Sequence, residues 1–282
     1  MVETWTVLSI LEWTADYFRG QGIDTPRLDA EVLLTRVLEL DRVGLYLHYD
    51  RPLVKEELAA YRALVKRRAG REPVAYILGE TEFWSLPFSV SPAVLIPRGD
   101  TEILVEEALK AISGPCQVLD VGLGSGAIAV VLAHEKPNIR VSGIDISPTA
   151  VAVAVENARR NGVAERTDFT VGNLAALSGG PYELIVSNPP YIPHGDLEGL
   201  MPDVRRYEPV TALDGGPDGL DAYRAIVRQA PDRLAAGGRL MVEIGINQAE
   251  NVRQLFTDAG FIDIQTRNDY AGIPRVVSGM KK

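Results

Sequence analysis

The chain has 282 residues, 46% of them hydrophobic, and a formal net charge of -9; this suits a globular protein of two domains and argues against tight non-specific binding to phosphate backbones, which rests on Lys and Arg displacing counterions. A single cysteine, Cys116, excludes an internal disulfide and a cysteine-cluster zinc site, and no apolar run reaches the roughly 18 residues needed to span a bilayer. No basic segment followed by an apolar one opens the sequence, so the expectation is a cytoplasmic monomer without a metal or membrane partner, acting on a protein or a small molecule.

Residues 1–72 read as a small helical domain. Apolar residues recur in three- and four-residue steps, as in Leu28, Val32 and Leu33 or Leu58, Tyr61, Leu64 and Val65, and Thr25-Pro26 has the form of an N-cap and first helical residue. A basic stretch, Arg62, Lys66, Arg67, Arg68 and Arg71, interrupts the acidic balance; it is either a solvated helix face or a docking surface for an RNA-rich or acidic partner. Over residues 73–100 the period shortens to two, with Gly79 and Pro87 as breaks, which predicts a β-hairpin linking two domains. Residues 101–282 form the second domain. In "CQVLDVG", "SGAIAVVLAHE", "IRVSGIDI", "SPTAVAVAVENARRN", "TDFTVGN" and "YELIVSN", strand-like runs alternate with helix-like ones, predicting right-handed βαβ units in a parallel sheet. Further strands are expected at "GRLMVEIG", "FIDIQTRN" and "PRVVSGM".

Between the first strand and its helix, "VLDVGLGSGAIAVVLA" sets Gly122, Gly124 and Gly126 at a turn, where positive φ and a bare backbone let a ligand approach the free N–H groups of a helix start. The spacing is G-x-G-x-G rather than the dinucleotide G-x-G-x-x-G, and Asp120 precedes it, able to bind an amino group or to order the loop. Asp145 ends the next strand, where a carboxylate can accept both ribose hydroxyls of an adenosine-containing cofactor. Its other reading is a helix cap, a role that Ser147 fills better. Asn173 ends the third strand, either near an adenine or as a plain turn residue. These features fit NAD or S-adenosylmethionine.

The run "IVSNPPYIPHG" decides between them. Two adjacent prolines remove two backbone donors, so Asn188–Tyr191 is a stiff loop offering acceptors. Hydride transfer needs a proton donor and acceptor at a substrate oxygen; here an amide oxygen and a proline carbonyl can instead hold both hydrogens of a planar NH2 while Tyr191 stacks on its plane. That directs a nitrogen lone pair at an electrophile such as the sulfonium methyl of S-adenosylmethionine.

With "AVLIPRGDTEILVEEAL", "GIDIS", "VSNPPYIP" and "YEPVTALDGGPDGLDAYRAIV" added, the chain resembles, over essentially its full length, the peptide-release-factor glutamine N5-methyltransferases, the HemK or PrmC family. Asn-Pro-Pro-Tyr alone is shared with methyltransferases of adenine and guanine amino groups; "LIPRGDTE" and "EPVTALDGGPDGL" are more specific to the release-factor family and its ribosomal-protein relatives. The resemblance implies a Rossmann-like class I methyltransferase fold: a mostly parallel sheet of seven strands with an antiparallel last hairpin, preceded by a small helical domain that recognises substrate. It implies S-adenosyl-L-methionine as cofactor, S-adenosyl-L-homocysteine as product, and release factors as partners, with no direct nucleic-acid binding. Gly122, Leu123, Gly124, Ser125 and Gly126 would hold the methionine part, Asp145 the ribose, and Asn173 and Leu174 would border the adenine. Asn188 would contact cofactor and substrate, with Pro189, Pro190 and Tyr191 completing the glutamine pocket. Arg98, Thr101 and Glu102 would sit at its rim, unless Thr101 merely caps a helix. The family more often has proline where Gly99 stands and aspartate where Asn173 stands. Glutamine methylation of a ribosomal protein, N-methylation of an amino base and a non-enzymatic cofactor fold are the competing readings.

Overall fold

The helical spacing before Gly70 is realised as α1 (Val7–Gly20), α2 (Pro26–Leu38), α3 (Arg42–Leu47), α4 (Lys55–Ala69) and α5 (Val74–Leu78) in the computed structural model, which describes residues 5–173 and 179–282. Among the described residues no helix is long and apolar enough to cross a membrane. These helices form one compact unit, residues up to Gly79, together with a short helix from much later in the chain, Pro202–Tyr207. Its core takes Val7, Leu11 and Phe18 from α1, Leu33 and Leu34 from α2, and Tyr61 and Val65 from α4, the residues that the periodicity places on one face of each helix. Val74–Leu78 is helical, so the period-two segment begins later than its pattern suggests.

Neither reading of the basic stretch describes Arg68 and Arg71. Arg68 is buried, its Nε 2.6 Å from Asp29 Oδ2 and its Nη1 2.7 Å from Asp203 Oδ2. Arg71 Nε lies 2.5 Å from Asp203 Oδ1, and Arg67 pairs with Glu72 at 2.5 Å. The Tyr207 hydroxyl donates to the Gly70 carbonyl at 2.8 Å. Arg68 and Arg71 thus hold the Pro202–Tyr207 helix within this unit, while Arg62, Lys66 and Arg67 remain exposed.

The second unit contains Glu80–Met201 and Glu208–Lys282. It opens with a hairpin, β1 (Glu80–Phe83) and β2 (Leu86–Ser89), turned by Trp84 and Ser85 with φ of 54° and 56°. In chain order there follow α6 (Thr101–Ala111), β3 (Gln117–Val121), α7 (Ala127–Glu135), β4 (Arg140–Asp145), α8 (Pro148–Arg160), β5 (Thr167–Val171) and β6 (Tyr182–Ser187). Then come α9 (the Pro202–Tyr207 helix of the first unit), α10 (Asp221–Gln229), β7 (Leu234–Glu243), α11 (Ala249–Asp258), β8 (Ile262–Asn268) and β9 (Pro274–Met280). The seven-stranded sheet has the order β5-β4-β3-β6-β7-β9-β8; β3 to β7 are parallel, and β9 runs antiparallel to both β7 and β8, as expected. Alternate strand residues feed two cores: Leu184 and Val186 with α6, α7 and α8 on one face, Ile185 with α10 and α11 on the other. The order reverses between β3 and β6, and the carboxyl ends of strands flanking such a switch point are where α/β sheets leave room for ligands.

Asp203 accepts from two arginines of low exposure, and breaking a buried pair leaves an uncompensated charge. Asp203→Ala is therefore expected to destabilise the helical unit by about 2–4 kcal/mol. Urea unfolding monitored by tryptophan fluorescence measures it; a change within about 0.5 kcal/mol, the range of an ordinary surface substitution, would remove this pairing as a determinant of stability.

Candidate active site

The loop after β3 has the backbone that its glycines predicted, with φ of 78° at Gly122, 55° at Gly124 and 79° at Gly126. Gly126 has a second reason to be glycine: a Cβ there would lie 2.9 Å from the Cβ of Ala154, on α8. Asp145, at the end of β4, accepts from Gly124 N at 2.8 Å with Oδ2 and from Ser147 N at 2.9 Å with Oδ1, so one carboxylate orders the turns after two strands. Ser147 caps α8 by accepting from Ala150 N at 3.2 Å. Asp120 is wholly buried; its Oδ2 accepts from Ala129 N at 3.2 Å, its Oδ1 has no hydrogen-bond partner among the described residues, and burial raises its pKa well above the ordinary carboxylate value. It orders the start of α7.

A cavity of about 300 Å³ opens at these strand ends. Gly122, Leu123, Gly124, Ser125, Asp145 and Asn173 line it, and so do Arg98, Thr101, Asn188, Pro189 and Pro190. Gly126 does not; it is the N-cap of α7. Leu174 lies outside the described residues. Glu102 is not among the lining residues: its carboxylate accepts from Trp84 N at 3.2 Å, toward the hairpin. Tyr191 is not among them either; it packs against the core under α10 and α11. Thr101 is not the N-cap, a position held by Asp100, but the first residue of α6, buried, with its Oγ1 3.0 Å from Asn188 Nδ2. Arg98 forms an ion pair with the buried Glu208, just after α9.

Residues 9–79 match the PrmC N-terminal domain model, and residues 98–200 match the methyltransferase small domain. A protein named release factor glutamine methyltransferase from Geobacter sulfurreducens is 54% identical, covering 98% of this chain and 97% of its own. A second, of the same name, from Bradyrhizobium diazoefficiens is 43% identical over 95% of this chain and 97% of its own. The chain belongs to the release factor glutamine methyltransferase family. A methyltransferase crystal structure from Pyrococcus furiosus, 16% identical, aligns with a TM-score of 0.53 over 71% of this chain and 90% of that one, a likeness of fold.

In this family member two buried polar residues near the end of β7 support the Asn188 loop, and the sequence reading had missed both. Gln248 uses its whole amide: Nε2 donates to Tyr191 O at 2.9 Å and Gly219 O at 3.2 Å, while Oε1 accepts from Gly245 N at 2.9 Å and from the Tyr223 hydroxyl at 3.3 Å. The packing leaves no space there, since a Cβ on Gly219, whose φ is 75°, would stand 2.4 Å from Tyr191 O. Glu243, set beside Asn188 by the Ser187–Val242 register of β6 and β7, is buried; burial lifts its pKa to about 7, opposed by the nearby Thr101 hydroxyl and Asn188 amide. Tyr191 is pushed up to about 12 by burial and by the Glu243 charge. An acid ending the apolar run "GRLMVEIG" was a signal for Glu243; nothing local marks Gln248. Ala222, Ala225 and Gln229 of α10 also line the cavity without a motif to announce them.

Gln248→Ala would strand the Gly245 N–H and the carbonyls of Tyr191 and Gly219, each orphaned buried group costing about 1–3 kcal/mol before relaxation. We expect a net loss of about 2–4 kcal/mol in stability and a greater loss in acceptor turnover than in cofactor affinity. Denaturant unfolding and steady-state kinetics test this; a variant with unchanged stability would dismiss Gln248 as a support of the loop.

Proposed function

We propose that this chain transfers a methyl group from S-adenosylmethionine to the side-chain amide nitrogen of the glutamine in the Gly-Gly-Gln motif of peptide chain release factors. The observation that carries the reading is a single cavity lined both by the glycine loop with Asp145 and by Asn188–Pro190. The first group suits an adenosine-bearing cofactor: a turn of positive-φ glycines at a helix start, with no side chains between backbone and ligand, beside a carboxylate that can accept ribose hydroxyls. Asn173, two residues beyond the end of β5, lines the same cavity and would border the adenine. The second group suits the amide: Pro189 and Pro190 present no N–H to the cavity, and Asn188 lines it.

When bound, the cofactor supplies a methyl on a positively charged sulfur, which leaves as the neutral thioether of S-adenosylhomocysteine. What the chain supplies is position. An amide nitrogen is a poor nucleophile because its lone pair is conjugated with the carbonyl, and fixing two reactants in line can lower a barrier by roughly 7–11 kcal/mol. Acceptors in the Asn188–Pro190 loop hold the glutamine NH2 and stabilise the positive charge that grows on nitrogen as the N–C bond forms. The alkylated nitrogen then loses its proton to water or a nearby acceptor, so no dedicated base is required. The same acceptors select against an oxygen nucleophile that carries negative charge.

Two measurements test this. Asp145→Ala is expected to weaken S-adenosylmethionine binding by about 1–3 kcal/mol in calorimetry, the cost of losing hydrogen bonds to polar groups, and an unchanged dissociation constant would take Asp145 out of the cofactor site. For the acceptor, labelled methyl transfer is compared among an intact release factor, its Gln→Glu variant, ribosomal proteins, RNA and DNA. The intact factor should be labelled, and the Gln→Glu factor rejected by roughly 10⁴-fold or more, as when buried polar groups are left facing a mismatched partner. Labelling of ribosomal protein or nucleic acid in preference to the release factor would overturn the assignment.

A further inference from the structure

We propose that Glu243 is a positioning residue: its carboxylate, with the Thr101 hydroxyl, forces the Asn188 amide to turn its NH2 inward and its carbonyl oxygen into the cavity. The effect on turnover rests on the methyl-transfer reading above, whereas the amide orientation rests on the Thr101–Asn188 contact, on the β6–β7 register that sets Glu243 beside Asn188, and on the burial of Glu243. Glu243 is the last residue of β7, in register with Val276 of β9, and is 1% exposed. It does not line the cavity, so it acts through Asn188, which does.

The argument is one of donors and acceptors. An ionised carboxylate can only accept, so the end of the Asn188 amide that meets Glu243 must be the NH2. Thr101 has a single hydroxyl hydrogen; given to Glu243, it leaves Oγ1 to accept from Asn188 Nδ2 at 3.0 Å. Both inner positions are then acceptors, and Oδ1 is the end left for the cavity. A buried negative charge behind the NH2 also polarises the amide, strengthening Oδ1 as an acceptor for the substrate's N–H groups.

The groups around Glu243 leave its charge loosely compensated. Asp100 and Thr101 face it from the start of α6, Asn188 and Tyr191 from the loop after β6, Tyr223 from α10 and Arg275 from β9. Arg275 is already shared between Asp100 at 2.9 Å and Asp269 at 3.0 Å, and Glu243 Oε2 has no hydrogen-bond partner among the described residues. Burial accordingly raises its pKa to about 7. Once protonated, the carboxyl can donate, the acceptor-only constraint disappears, and the Asn188 amide is free to turn over. The orientation that favours reaction is present above that pKa and lost below it.

Glu243→Gln keeps the size and removes the charge. In the wild-type enzyme the Asn188 side-chain ¹⁵N–¹H₂ resonances, assigned by their loss in Asn188→Asp, should titrate with a midpoint near neutral pH and cease to do so in Glu243→Gln. Turnover of the release factor at saturation should fall on the acid side of the same midpoint. In Glu243→Gln it should be lower by about 10- to 100-fold at pH near 8 and lack that limb, with KM and cofactor affinity changed by about threefold or less. A reciprocal pair gives the sharpest test. Asn188→Asp sets carboxylate against carboxylate, but with Glu243→Gln added the inner oxygen gains a donor and the outer oxygen faces the cavity, so the double variant should exceed Asn188→Asp alone by about tenfold or more. Asn188 resonances insensitive to pH, a Glu243→Gln enzyme with wild-type turnover and pH profile, or a double variant no better than Asn188→Asp would each overturn the proposal. If Glu243→Gln does not fold, the wild-type titration decides alone. A wild-type enzyme that leaves release factor unlabelled while its Asn188 resonances titrate through Glu243 would refute the acceptor assignment and uphold the positioning role.

Discussion

Two consecutive prolines at positions 189 and 190 deny the loop after β6 two of its own hydrogen-bond donors, and the surrounding structure is arranged around that deficit. A loop rich in carbonyls cannot pin itself by backbone ladders; donors and acceptors brought from elsewhere must hold it. Gln248 donates to the carbonyl of Tyr191, and Thr101 accepts from the NH2 of Asn188, with the buried Glu243 beside them. The result is a loop held by side chains from the start of α6 and just before α11. Its energetic cost is visible in the buried Glu243 carboxyl and in glycines such as Gly219 that packing leaves no room to replace.

At the other part of the cavity the constraint is met by economy. Asp145 holds Gly124 N and Ser147 N at once, so the residue suited to a ribose also fixes the glycine turn and the entry to α8. Asp120, one strand away, is fully buried and contributes to the start of α7 rather than to the cavity surface. Of two carboxylates near the glycine loop, exposure to the cavity separates the one that can meet a ligand from the one that shapes the backbone.

After the Asn188 loop the chain leaves the sheet unit at Met201, contributes α9 to the helical unit through Asp203, and returns at Glu208, whose carboxylate pairs with Arg98. The basic stretch along and just after α4 supplies, in Arg67, Arg68 and Arg71, partners of carboxylates within that unit. Local charge counting reads the stretch as a surface patch because Asp203, the partner of both Arg68 and Arg71, lies over a hundred residues away, Arg68 and Asp203 being 135 positions apart.

While the antiparallel last hairpin came from the family resemblance, local patterning by itself determined the alternation of strands and helices, the parallel sheet, the glycine turn, the carboxylate at the end of β4 and the acceptor loop after β6. Each of these is written in neighbouring residues, through side-chain period, glycine and proline backbone preferences and residue type at a strand end. Only the tertiary structure decided which side chains meet. Thr101 and Glu102 are adjacent, yet successive helical residues point about 100° apart, so one turns toward Asn188 and the other toward Trp84. Tyr191 goes to the core because its carbonyl is tied down by Gln248, and Glu243 reaches Asn188 because β7 lies beside β6 in the sheet. Those contacts join residues tens of positions apart, and pairing at such range is set by how the strands order themselves, which no window of sequence contains.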